Sequence, residues 1–150
     1  METPEFKTVG IVGAGAMGRG IAQIAAQAGS KVLLFDTQAD AVAKARESVA
    51  AQWDKLVEKG RIDAAAATAQ KERLQPAATL ADLAPCDLIV EAIVERLDVK
   101  KGLFAELEGI VQTTAVLATN TSSLSVTAIA AGLKRPQQFA GFHFFNPVPL

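Results

Sequence analysis

The only histidine of the chain, His143, is the side chain best suited to proton transfer. Imidazole titrates near neutral pH, so it could take the proton of a hydroxyl group that is being oxidised. His143 stands in an aromatic run between Phe142 and Phe144, where a lone histidine can equally be a packed core residue. The residues alone leave both interpretations open.

Two further polar groups follow short apolar runs that are typical of strands. Asn120-Thr121-Ser122-Ser123 offers an amide and hydroxyl groups. These could bond a substrate oxygen or a cofactor ribose, but from the residues alone we favour a helix cap. The other group contains Glu91, Glu95 and Lys100, which by themselves predict a solvated helix start, since acidic side chains are favoured near the positive end of a helix.

A glycine-rich motif, Gly13-x-Gly15-x-x-Gly18, lies between an apolar run at 8–12 and a predicted helix from about 16 to 28. In such a motif the first glycine permits a tight turn, the second lets the backbone approach a pyrophosphate, and the third lets helix and strand pack closely. The N–H groups at the start of the helix can bind phosphate. This context favours dinucleotide binding over a simple tight turn.

Asp36 ends the second predicted strand, 18 residues after Gly18. A carboxylate at that position can accept hydrogen bonds from both hydroxyls of the adenosine ribose and would repel a 2′-phosphate. Thr37 and Gln38, rather than an arginine, follow it. The spacing therefore predicts NAD rather than NADP, the alternative being a solvated carboxylate at a strand end.

Short apolar runs alternate with amphipathic segments along the whole chain, which predicts an α/β fold. We expect a Rossmann-type, doubly wound, mostly parallel sheet with a helical hairpin inserted after the second strand. The hairpin is broken at Gly60 and restarts at Asp63, a good N-cap residue. Helical spacing places Ile24 and Val99 on the buried faces of their helices. Beyond the first two strands, we predict strands at 77–79, 88–90, 115–118 and from 139, and helices at 97–111 and 126–131.

Composition excludes several function classes. The chain has 150 residues, half of them hydrophobic, enough for one domain with a core. A net charge of −1 without a basic stripe argues against nucleic acid as a partner. No apolar run is long enough to cross a membrane, and no spacing indicates a metal site. One cysteine, Cys86, cannot form an internal disulfide, which fits the cytoplasm.

Four segments taken in order resemble the short-chain L-3-hydroxyacyl-CoA dehydrogenase family. They read GAGAMG at 13–18, VEAIVE at 90–95, NTSSL at 120–124 and GFHFFNP at 141–147. The likeness is greatest to the 3-hydroxybutyryl-CoA and 3-hydroxyadipyl-CoA dehydrogenase types. It implies that residues 1–150 form the N-terminal NAD-binding domain of such an enzyme. Members of the family reversibly oxidise an L-3-hydroxyacyl-CoA to a 3-ketoacyl-CoA with NAD, in β-oxidation of the fatty acid or phenylacetate type.

The same resemblance assigns roles to individual residues. His143 becomes the general base, Ser122 a hydrogen-bonding partner of the substrate oxygen, and Lys59 a contact of coenzyme A along the hairpin. Together with the glycine motif and Asp36, it gives a predicted set of NAD-binding residues: Gly13, Gly15, Ala16, Met17, Gly18, Asp36, Ala92, Glu95, Lys100, Asn120, Ser122 and Asn146.

In the family a glutamate beyond position 150 orients the histidine, and a helical second domain closes over the acyl chain and provides a homodimer interface. We therefore expect residues 1–150 to bind NAD and to turn over poorly or not at all alone, because orientation and closure contribute greatly to rate. Two alternatives stay open. One is the NAD-binding domain of another hydroxyacid dehydrogenase, with a lysine base in a later helix. The other is a non-catalytic dinucleotide-binding module, against which Ser122 and His143 argue.

Overall fold

The chain folds around one parallel sheet of six strands in the computed structural model, which describes residues 6–93, 96–120 and 123–141. The strands are β1 (Thr8–Val12), β2 (Lys31–Phe35), β3 (Leu74–Pro76), β4 (Leu88–Glu91), β5 (Val116–Thr119) and β6 (Phe139–Gly141). The helices are α1 (Ala16–Gln27), α2 (Ala39–Glu58), α3 (Ala64–Arg73), α4 (Leu97–Ile110) and α5 (Ser123–Ala130), and short 3₁₀ helices span Leu80–Leu83 and Pro136–Gln138.

The strand order is β3-β2-β1-β4-β5-β6, and every neighbouring pair is parallel. The order reverses between β1 and β4, where Val12 pairs with Glu91. Connections leave this point in opposite directions, so a crevice opens at the carboxyl ends of the two strands, the usual ligand position in open α/β sheets. The predicted Rossmann-type, doubly wound fold is confirmed.

Alternating strand residues supply two separate cores, one on each face of the sheet. Leu34 and Val90 pack in the core that α1, α2 and α3 cover. Leu33 and Ile89 point the other way, into the core that α4 and α5 cover. Strands buried on both faces must be apolar nearly throughout, which explains the unbroken apolar runs of β2 and β4.

The helical hairpin after β2 is confirmed, but the strand that follows it lies earlier in the chain than predicted. Asp63 caps α3, accepting a hydrogen bond from the backbone N–H of Ala66 at 2.7 Å. The strand predicted at 77–79 is wrong, because the strand that pairs with β2 is β3 at Leu74–Pro76. Leu74 is buried and lies opposite Val32, while Pro76 is tolerated because β3 is an edge strand.

The predicted buried face of α1 is wrong at Ile24, and that of α4 is wrong at Val99. Ile24 is 41% exposed and Val99 is 42% exposed. On α1 the face against the sheet is formed by the small residues Gly18 and Ala22 together with Ile21. Spacings of three and four selected Ile24 after Ile21, whereas the face that packs on the sheet is offset from the predicted one and includes small residues.

Cys86 lies buried in the core with a free thiol. Burial, reinforced by the charge of nearby Asp87, raises the pKa of the Cys86 thiol to about 12. The thiol therefore stays protonated at neutral pH, which agrees with a structural residue. Across the described ranges, no helix is both long enough and apolar enough to span a bilayer.

Candidate functional site

The glycine motif forms the turn from β1 into α1, at the crevice. Gly13 has a φ of +110°, and its N–H donates to the carbonyl oxygen of Phe35 at 2.8 Å. A Cβ at this position would lie 2.7 Å from the carbonyl oxygen of Ala92. Both the backbone conformation and the close approach of the β4–α4 connection therefore require glycine here.

The other two glycines of the motif differ in what surrounds them. A Cβ on Gly18 would lie 1.7 Å from the carbonyl oxygen of Gly13, so α1 packs as closely on the turn as its backbone permits. A Cβ on Gly15 would meet nothing within 4 Å. Gly15 is the N-cap residue of α1 and no side chain caps the helix there. The backbone at Gly15 is thus open to a phosphate group, which fits the predicted cofactor.

The remaining motif residues lie in the first turn of α1. Ala16 is exposed, and Met17 is half-buried and packs against the adjacent core. The structure therefore brings all five predicted glycine-motif residues to the crevice edge of the sheet: Gly13, Gly15, Ala16, Met17 and Gly18.

Asp36 ties the end of β2 to the glycine motif. Its Oδ2 accepts the N–H of Ala14 at 2.8 Å, and its Oδ1 accepts the N–H of Gln38 at 2.9 Å. Asp36 is only half-buried, so its carboxylate also reaches the crevice. The carboxylate is held in place by the loop beside it, as expected of a group that recognises ribose hydroxyls.

A cavity of about 340 Å³ opens beside Asp36. One wall comes from Thr37 and α2, and the other from the residues after β3; the lining is Asp36, Thr37, Val42, Ala43, Arg46, Pro76, Ala77 and Ala78. Arg46 is a functional candidate that the sequence did not reveal, because it lies ten positions after Asp36 and is brought back by α2. Its Nε donates to the carbonyl oxygen of Leu74 at 3.1 Å.

Glu91 and Lys100 form a buried ion pair, so the predicted solvated helix start is wrong for both. Glu91 Oε2 lies 3.2 Å from Lys100 Nζ, and the two side chains are 0% and 1% exposed. Glu91 Oε2 also accepts the N–H of Ile93 at 2.7 Å, and Glu91 Oε1 accepts the hydroxyl of Thr119. Glu91 ends β4 and Thr119 ends β5, so the cluster lies directly below the crevice.

Two predicted cofactor residues adjoin this cluster, whereas the predicted coenzyme A contact is distant from it. Ala92 follows Glu91 directly, and the N–H of Asn120 donates to the carbonyl oxygen of Glu91 at 3.1 Å. Lys59 is exposed and follows α2 at its far end. With 20 residues in α2, Lys59 is about 30 Å along the helix axis from the crevice edge.

Four predicted site residues lie outside the described ranges, namely Glu95, Ser122, His143 and Asn146. Two of them follow described strands along the chain. Strand β5 ends at Thr119, three residues before Ser122, and β6 ends at Gly141, two residues before His143. Both strands are parallel to β4, so their carboxyl ends share the crevice edge. Within the described residues, no three His, Cys, Asp or Glu side chains are grouped to hold a metal ion.

Comparison with known proteins assigns the chain to a family. Residues 8–150 match the family model described as 3-hydroxyacyl-CoA dehydrogenase, NAD binding domain. The chain belongs to this family. Its cofactor is accordingly NAD, as the glycine motif and Asp36 predict, and the resemblance found in the sequence is confirmed.

Members of the 3-hydroxyacyl-CoA dehydrogenase family are similar to the chain over nearly its whole length. It is 44% identical over 144 residues to 3-hydroxyadipyl-CoA dehydrogenase of Escherichia coli K12, covering 96% of this chain and 30% of that protein. It is 42% identical to 3-hydroxybutyryl-CoA dehydrogenase of Bradyrhizobium diazoefficiens, covering 97% of this chain and 50% of that protein. The crystal structure of 3-hydroxybutyryl-CoA dehydrogenase from E. coli K12 superposes with a TM-score of 0.93 at 44% identity, over 97% of this chain and 31% of that one.

Proposed function

We propose that residues 1–150 form one NAD-binding domain that serves the reversible oxidation of an L-3-hydroxyacyl-CoA to a 3-ketoacyl-CoA. The observation that carries the proposal is the pairing of an open backbone at Gly15 with a carboxylate at Asp36, which is bonded to the same loop. Both face the crevice where the strand order reverses. Because the chain spans 30% and 50% of the length of these two relatives, the substrate and the complete activity are part of this proposal.

When bound, NAD supplies the hydride acceptor of the reaction. The chain contributes binding and proton transfer. The first-turn N–H groups of α1 would hold the pyrophosphate, Asp36 would bond the adenosine ribose, and the cavity beside Asp36 would accommodate the adenine. His143 takes the proton of the substrate hydroxyl, and Ser122 donates a hydrogen bond to the same oxygen. Support for these last two roles comes from the resemblance and from the shared crevice edge of β5 and β6.

The first prediction concerns cofactor selectivity. The wild-type chain should bind NAD at least about tenfold more tightly than NADP, since Asp36 would repel a 2′-phosphate. The Asp36→Ala variant should bind NAD at least about tenfold more weakly. It should also gain affinity for NADP, because Arg46 lines the same cavity and would no longer face a carboxylate. Calorimetric titration with each cofactor measures both effects.

The matched control for this prediction is Asp40→Ala, since Asp40 is exposed in the first turn of α2 and outside the cavity lining. It should change neither affinity. If the wild-type chain bound neither cofactor, or bound NADP as well as NAD, the cofactor assignment would be wrong. If Asp36→Ala lost NAD affinity without any gain for NADP, the proposed influence of Arg46 would be wrong.

The second prediction concerns catalysis. His143→Gln should slow the reduction of acetoacetyl-CoA by NADH at least about a hundredfold relative to the wild-type chain, because removing a general base costs that order of rate. The decrease of NADH absorbance at high protein concentration measures both rates, and NADH affinity should be unchanged. Equal rates in the two proteins would favour a dehydrogenase with another base. If the wild-type chain had no measurable rate, residues 1–150 would be inactive alone.

We further propose that Lys59 contacts coenzyme A, that the protein acts in the cytoplasm and that it pairs with a second copy of itself. The exposed position of Lys59 at the end of α2 supports the first proposal, because an exposed ammonium group can meet a phosphate of coenzyme A. The single cysteine, which cannot form an internal disulfide, supports a reducing compartment. Pairing rests on the family resemblance.

A further inference from the structure

We propose that Glu91 is a positioning residue that shapes the nicotinamide side of the cofactor crevice. The inference rests on the proposed function, since it presumes that NAD binds there. Glu91 itself is fully buried, so we assign it no direct contact with the cofactor. Its role is to fix three chain segments that meet at the point where the strand order reverses.

Each group on the Glu91 carboxylate comes from a different segment. Ile93, whose N–H donates at 2.7 Å, belongs to the connection that follows β4. Lys100, whose ammonium lies at 3.2 Å, belongs to the first turn of α4. Thr119, whose hydroxyl donates to Oε1, ends β5. The segments held this way contain or adjoin Ala92, Lys100 and Asn120, which are predicted to line the cofactor.

The main chain of Glu91 extends this set of contacts to both neighbouring strands. Its carbonyl oxygen accepts the N–H of Asn120 at 3.1 Å, and the next N–H, from Ala92, donates to the carbonyl oxygen of Val12 at 2.9 Å. Val12 directly precedes Gly13, whose turn abuts the carbonyl of Ala92. A displacement of the Glu91 side chain would thus be transmitted to the nicotinamide side of the crevice, while Asp36 on the other side makes none of these contacts.

A carboxylate suits this position because the described groups that contact it all donate to it, and one of them, Lys100, is charged. Buried charge is costly unless it is paired and fully hydrogen-bonded, and Glu91 satisfies both conditions. A glutamine here would remove the charge that faces Lys100. Its amide oxygen could accept from Ile93 and Lys100 only with the amide N–H₂ turned to Thr119, whose hydroxyl would then accept a hydrogen bond instead of donating one. The fold could persist through its apolar cores, but the segment that carries Lys100 would lose its anchor.

The chain offers a matched control on the same helix. Glu108 is also buried, and its carboxylate accepts the N–H groups of Lys134 at 2.8 Å and Arg135 at 2.6 Å. It lies in the last turn of α4, two turns of helix or more beyond Lys100 and away from the crevice edge. Glu108→Gln therefore disturbs a buried, hydrogen-bonded carboxylate without touching the proposed cofactor cleft.

The test compares two probes by calorimetry in the wild-type chain, Glu91→Gln and Glu108→Gln. ADP reports on the adenosine and pyrophosphate positions, and NAD reports on the whole cleft. We expect Glu91→Gln to weaken NAD binding at least about tenfold while ADP binding stays within about twofold, because only the nicotinamide side is displaced. Glu108→Gln should leave both affinities unchanged. A purely structural role would weaken ADP and NAD together, and would overturn the proposal, as would unchanged NAD affinity in Glu91→Gln.

A second pair of variants covers the case in which Glu91→Gln does not fold. Thr119→Val removes one hydrogen bond to Glu91 Oε1, whereas Thr119→Ser keeps the hydroxyl. Selective loss of NAD affinity in Thr119→Val, with recovery in Thr119→Ser, would support the positioning role, and equal NAD affinity in the two would overturn it. If the wild-type chain bound ADP and NAD equally poorly, the proposed function would fail and this inference with it. Wild-type NAD binding that is insensitive to these variants overturns the inference alone.

Discussion

Gly18→Ala is expected to destabilise the fold by about 3 kcal/mol or more, because there is no room for a methyl group between α1 and the turn it follows. The added Cβ would lie 1.7 Å from the carbonyl oxygen of Gly13 and 3.5 Å from the side chain of Ile11. The first of these atoms belongs to the backbone of a turn that is itself fixed by a hydrogen bond to Phe35. Relief would require α1 to move off the sheet and open the core beneath Ile21 and Ala22. Chemical unfolding in urea measures the loss.

The control for this prediction is Gly102→Ala in the middle of α4. A Cβ there meets nothing within 4 Å, and the position is exposed. Alanine should stabilise the chain by up to about 1 kcal/mol, because glycine is the costlier residue inside a helix. The free energy of unfolding of a single domain is only about 5–15 kcal/mol in total, so the two variants should differ clearly in their unfolding midpoints. Equal stability of Gly18→Ala and the wild-type chain would show that α1 does not pack as closely as described.

Local sequence signals predicted the parts of the fold and site that depend on neighbouring residues. The glycine motif is one example, since a turn, a helix start and a close contact are all set within 13–18. The Asp63 cap is another, because its bond spans only three positions, to Ala66. Asp36 was predictable for a related reason, as the distance along the chain from the motif is fixed by one helix and one strand.

The buried cluster around Glu91 could not be predicted in this way. Glu91 and Thr119 are 28 positions apart, and only the pairing of β4 with β5 brings them together. In the sequence, Glu91 and Lys100 look like ordinary surface charges at a helix start. Whether a charge is solvated or buried depends on which segments cover it, and that information is tertiary. The same reason applies to Arg46, which α2 returns to the cavity beside Asp36.

Gly15→Val is expected to weaken NAD binding about a hundredfold while the fold persists. The backbone of Gly15 is extended, with φ −73° and ψ −170°, so a β-branched residue can adopt it. No protein atom lies within 4 Å of the added Cβ, which would instead project into the space above the start of α1. Loss of a glycine N-cap should cost about 1 kcal/mol or less of stability. Calorimetric titration with NAD and thermal unfolding of the same samples separate the two effects.

A series of side chains of increasing size at position 15 gives the decisive comparison. Steric exclusion of the cofactor must increase with the size of the side chain. Gly15→Ala should bind NAD with an affinity between those of wild type and Gly15→Val, and all three should unfold at similar temperatures. Such a series would place the pyrophosphate directly above the first turn of α1, where the unpaired N–H groups of the helix can bind it. Wild-type NAD affinity in a folded Gly15→Val would instead mean that the cofactor does not pass over this turn. Gly13 and Gly18 would then be needed only to let strand, turn and helix pack together, with no part in holding a ligand.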